Sequence, residues 1–136
     1  MDSVVLQVRT GQRFVTDLTR DVNRFVAHRG NGLVNIFVPH ATAGVAIIET
    51  GANVEPDLAD AVERLLPVTD IYRHRHGSRG HGRDHVLPAF VAPSMTIPVL
   101  AGAPALGIWQ SVVLIDSNRD NPDREVRLSF ITDERP

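Results

Sequence analysis

Short runs of alternating apolar and polar positions set out the strands of this chain. "VVLQVRT" puts Leu6 and Val8 on one face and predicts a strand, with "QRFVTDL" as its returning hairpin partner. "TRDVNRFVAHRGNG" switches to helical spacing. Val22, Phe25 and Val26 form its apolar stripe, Thr19 is placed to cap it, and Gly30 or Gly32 to end it. "GLVNIFVP" and "AGVAIIET" are β-branched and aromatic runs, so "PHAT" falls at the junction of two strands. "EPDLADAVERLLP" predicts a second helix with Pro56 in its first turn, Leu58, Ala61, Val62 and Leu65 buried, and Pro67 as its stop. "SMTIPVL", "ALGIWQSVVLID" and "REVRLSFIT" predict three further strands, and Pro98 asks that its own strand lie at an edge or a bulge. The pattern gives one compact α+β domain over residues 1–136, a mostly antiparallel sheet of about seven strands with two main helices.

Composition narrows the chemistry. Apolar residues make up 43% of the 136 positions and charged residues 22%, a globular balance. The formal charge of −2 supplies no general basic field for nucleic acid. No apolar run approaches the length of a membrane span, and the N-terminus lacks the pattern of a signal peptide, so a cytoplasmic protein is expected. Cysteine is absent, so any metal must be held by nitrogen and oxygen. All 14 cationic residues are arginine, which removes lysine from any Schiff-base or general-base role.

One segment stands apart. "YRHRHGSRGHGRDH" carries four of the six histidines, His74, His76, His81 and His85, together with four arginines and three glycines. Its length, between packed elements, suits a functional loop. His74 and His76 share a face if the backbone is extended, and His81 and His85 share one only on a helix. A metal site, a phosphate site and a solvated basic loop all remain open on spacing alone. His28, near the end of the first helix, suits the negative end of the helix dipole. His40, at a strand end in "HAT", and Glu49, at the end of the next strand, are either exposed termini or site residues.

"PHATAGVAIIE", "YRH", "DHVLPAFVAPSMTIPV" and "LGIWQSVVLID", in this order, resemble the YjbQ family, often labelled secondary thiamine-phosphate synthase. The resemblance covers nearly the whole chain and is clearest over residues 33–130. It implies a compact α+β subunit that assembles as a homotrimer. It also implies a pocket of three histidines, a glutamate and an arginine, with a divalent metal in some members. On this sequence those residues are His40, His74 and His85 as metal ligands, with His40, Glu49 and Arg124 in catalytic roles. Thr42, Trp109 and Gln110 then face the bound molecule. His76 and His81 have no counterpart and are expected to be more exposed than the other three. The family's polar positions are replaced here by Ile48, Thr50, Arg75 and Ile108, and its late acidic residue is Asp116.

Three functions follow from the resemblance and the residues together. One is a thiamine-phosphate synthase, joining a pyrimidine diphosphate to a thiazole phosphate with release of pyrophosphate; arginines or a metal would neutralise the phosphates. The second is a metal-dependent hydrolase, with zinc on three histidines activating water and Glu49 as base. The third is a non-catalytic trimer that binds a metal or a small anion. The expected partner is a phosphate-containing small molecule, with neither nucleic acid nor membrane.

Overall fold

The structure, a computed structural model, describes residues 1–69 and 71–133. In chain order its elements are β1 (Asp2–Arg9), β2 (Val15–Asp17), α1 (Thr19–Val26), β3 (Gly32–Phe37), β4 (Ala43–Ile48), α2 (Val54–Leu65), α3 (His81–Val86), β5 (Ser94–Leu100), β6 (Ala103–Pro104), β7 (Ser111–Asp116) and β8 (Asp123–Thr132). The strands form two antiparallel sheets, one ordered β1-β8-β3-β5-β6 and the other β2-β7-β4. The α+β class is as the pattern predicts.

Period-two alternation explains the layering. Val34, Ile36, Val126, Leu128 and Val99 point from the larger sheet toward Val45, Val112 and Leu114 of the smaller one, and Val22 and Val26 of α1 close that core. Val113 and Ile115 face the other way, against Val62, Leu66 and Leu87. The middle sheet is therefore buried on both sides, which is why β7 reads as a continuous apolar run.

Several local expectations change. β2 does not return beside β1. It pairs with β7, because Val15 belongs to the second core while β1 spends all eight of its residues on β8. The N-cap position of α1 falls on Leu18; the Asp17 carboxylate just before it accepts the Thr19 N–H at 2.8 Å, while the Thr19 hydroxyl accepts the Val112 N–H. α1 stops at Val26, short of both glycines. The buried edge of α2 runs through Leu58, Val62 and Leu66 at four-residue spacing, so Ala61 is exposed and Leu65 is 56% exposed. "ALGIWQSVVLID" breaks into β6, a turn and β7. In that turn Gln110 accepts the Gly107 N–H through its side-chain oxygen, leaving Ile108 89% and Trp109 72% exposed. Pro98 turns its backbone toward β6, since its carbonyl accepts the Ala105 N–H. There the sheet is one two-residue strand from its edge, and no ladder bond is lost.

Candidate metal centre

The loop histidines come together through two local structures. His74 and His76 stand on the non-helical approach to α3, and His81 and His85 occupy successive turns of α3, the helical alternative that their spacing allowed. One nitrogen from each of the four lies within 4.8 Å of the others. Two glycines permit this packing. A Cβ on Gly77, whose φ is +75°, would stand 2.7 Å from Asp120 Oδ2 and 2.8 Å from the His81 ring, and one on Gly82 would stand 2.5 Å from Tyr72 Cβ. Tyr72 is fixed in turn by donating its hydroxyl proton to the Pro67 carbonyl at 3.0 Å.

The ring geometry suits an ion. With metal–nitrogen bonds of about 2.0–2.1 Å, four tetrahedral imidazoles would have ring centres about 5 Å apart. The six centre-to-centre distances here run from 4.1 to 6.2 Å. His81 Nε2 and His85 Nε2 are 2.9 Å apart, the length of a hydrogen bond in which one ring donates its N–H to the lone pair of the other. Burial, and then the neighbouring His74, His81 and His76, lower the His85 pKa, which favours the neutral, ligating form. The donors are all nitrogen, a set suited to zinc and its neighbours rather than to magnesium or calcium. Around the rings, Arg75, Arg79, Ser78 and Tyr72 help to line a cavity of about 440 Å³.

His81 is 6% exposed, and its Nδ1 is buried without a hydrogen bond of good geometry. It lies 3.5 Å from Asp84 Oδ2 and 3.3 Å from Asp120 Oδ2. Asp84 accepts the Ser117 hydroxyl at 2.6 Å, and its pKa is raised, chiefly by burial. Asp120 accepts the Ser78 N–H at 2.9 Å, and that bond comes first among the causes that lower its pKa. His81, expected to be among the more exposed histidines, is therefore buried, because α3 turns it inward onto these carboxylates. His74 and His76 are both exposed.

His40 does not join the group of four. Its Nε2 accepts the Glu125 N–H at 2.8 Å, and burial, then Arg124, lower its pKa. It borders a second polar cluster at the end of the inter-sheet core. There Arg124, 3% exposed, donates from Nε to Asp116 Oδ2 at 2.6 Å and from Nη2 to Asp116 Oδ1 at 3.1 Å and Thr42 Oγ1 at 3.0 Å. Asn118 completes it by donating to Thr42 at 3.2 Å. Glu49 is exposed beyond Ile48, whose ladder partner is Ser111, so it lies with Trp109 and Gln110 at the opposite end of the smaller sheet from Thr42 and Asp116. The length of β4 puts about 20 Å between those ends. Within one chain the expected site thus divides into three places. His74 and His85 meet; His40, Thr42 and Arg124 meet elsewhere; Glu49, Trp109 and Gln110 lie at a third.

Two ligand candidates, His76 and His81, were missed by motif matching. The sequence signal for them was the local histidine density and the four-residue spacing of His81 and His85.

Comparison with known proteins agrees with the fold. The family described as UPF0047 protein YjbQ-like matches residues 4–133. A UPF0047 protein of Mycobacterium tuberculosis is 62% identical over 131 residues, covering 96% of this chain and 98% of that one. The crystal structure of a hypothetical protein from Aeropyrum pernix superposes with a TM-score of 0.85 at 28% identity, covering 96% of this chain and 98% of the other. A YbjQ-like protein of unknown function from Sulfolobus solfataricus gives a TM-score of 0.87 at 21% identity over 95% of each chain, a likeness of fold alone.

Proposed function

The chain belongs to the UPF0047 YjbQ-like family, and from that starting point we propose that it is a metal protein whose centre is His74, His76, His81 and His85. The observation that carries this reading is the convergence of four imidazole nitrogens within 4.8 Å of one another, in a setting that lowers the His85 pKa. Zinc is the ion that best suits an all-nitrogen set. Four protein ligands would close a tetrahedral zinc shell, so the ion would hold the loop together and lend its positive charge to an anion nearby. The chain's own part is to hold the imidazoles and to receive a small anion. Arg79 lines the same cavity, and guanidinium pairs with phosphate through two parallel bonds. The partner proposed is a phosphate-containing small molecule.

Nothing in the site favours the thiamine-phosphate synthase reading over this one. Of the arginines that reading would offer to phosphate, Arg73, Arg75, Arg79, Arg83 and Arg124, the last already shares its guanidinium between Asp116 and Thr42. Assembly as a homotrimer is part of the proposal. Ile131, Leu33 and Pro98 form an exposed apolar row across three adjacent strands, with Phe37 exposed further along β3. Such a row suits a subunit contact.

The experiment is calorimetric titration of chelator-stripped protein with zinc chloride. One zinc per chain is expected. No uptake defeats the proposal.

A further inference from the structure

The turn between β7 and β8 links the histidine group to the buried arginine. Asp116 holds Arg124, Ser117 donates to Asp84, Asn118 accepts the Asp120 N–H at 2.8 Å, and Asp120 stands 3.3 Å from His81 Nδ1. Five successive residues thus run from the inter-sheet core to the back of one imidazole.

We propose that Asp120, assisted by Asp84, is a positioning residue of the metal centre. It takes up the Nδ1–H of His81, fixing that ring in the tautomer whose Nε2 lone pair faces the other three histidines. This rests on the metal reading above. The buried, unsatisfied Nδ1 is the independent sign. A buried polar atom without a partner is costly, yet here two carboxylate oxygens stand just outside good hydrogen-bond geometry. Histidine ligands characteristically give their second N–H to a carboxylate, which orients the ring and raises its basicity.

The surroundings hold both carboxylates in place. Asp120 is anchored by the Ser78 N–H, so the loop that carries His74 and His76 also carries the group that orients His81. Gly77 has no side chain, which is what lets Asp120 and the His81 ring close over it. Asp84 is held from the far side by Ser117.

The test measures zinc affinity by competition with a chromophoric chelator, and the cobalt(II) absorption spectrum, in wild type, Asp120→Ala and Asp120→Glu. Asp120→Ala is expected to weaken zinc binding by about 10–100-fold and to change the cobalt spectrum, with the metal-free protein still folded. Asp120→Glu should recover part of the affinity, since it restores a carboxylate. Asp84→Asn in the Asp120→Ala background should weaken binding further. If that double variant does not fold, the single variants decide. Wild-type affinity in Asp120→Ala overturns this inference while leaving the metal centre standing. A wild-type protein that takes up no zinc overturns both.

Discussion

His81 Nε2 and His85 Nε2 stand 2.9 Å apart on successive turns of one short helix. Two imidazole lone pairs at that distance repel unless a proton or an ion lies between them. The same six-residue helix holds Asp84 on its buried side, so ring and carboxylate are oriented by one backbone segment.

The buried pair at the end of the inter-sheet core should dominate local stability. Asp116→Ala leaves the Arg124 guanidinium charged and uncompensated, and is expected to cost about 3–5 kcal/mol by urea unfolding. The double change Asp116→Leu with Arg124→Met should cost less than Asp116→Ala alone. A loss of about 1 kcal/mol or less for Asp116→Ala, the size of a surface ion pair, would show that the pair is solvated.

His40 gives a pH dependence of known sign. Its pKa in the fold lies below the ordinary 6.5, first through burial and then through Arg124. Between the two values the unfolded chain binds more protons than the fold, so stability rises with pH there. The contribution is complete above 6.5 and is lost as pH falls through the folded-state pKa. Protonation also removes the acceptor that holds the Glu125 N–H. Urea midpoints of wild type and His40→Gln, compared from about pH 7.5 down to about pH 5, should converge on the acid side. A constant difference across that range rules this out.

Glu49 should be indifferent to the metal. Glu49→Gln is expected to leave zinc affinity unchanged and stability within about ±0.5 kcal/mol, as for an exposed strand end. A tenfold loss of zinc affinity would place Glu49 beside the histidines after all, through a neighbouring subunit.

Assembly is read by light scattering. The protein should run at three times the mass of one chain, and Leu33→Glu with Ile131→Glu should reduce it to a monomer, because those two side chains are paired on the outer, exposed face of β3 and β8. A monomeric wild type contradicts the trimer.

Much of the fold was legible because both periods are local. Leu6 and Val8, Val22 and Val26, and the unbroken run of β7 each carry their element's signature. The division into two sheets was not legible, since the choice of β7 over β1 as the partner of β2 depends on which core Val15 joins. Leu65 and Leu66 are neighbours of equal hydrophobicity, and only packing decides which one is buried. At the candidate site, the motifs point to His74 and His85, two of the four grouped histidines. His81 was passed over because what distinguishes it is spatial: Asp120 lies 39 residues away, and α3 is too short to show an apolar period. His40 matches a motif, and within one chain its partners Glu125 and Arg124 come from β8.

The most direct measurement is zinc stoichiometry and affinity across four proteins: wild type, His81→Ala, His85→Ala and His40→Ala. One zinc per chain is expected in wild type and in His40→Ala. Removing His81 or His85 should weaken binding by more than the roughly 10–100-fold that an outer-shell change costs. Equal affinity in His81→Ala and wild type, or loss of zinc in His40→Ala alone, would contradict a centre built on His74, His76, His81 and His85.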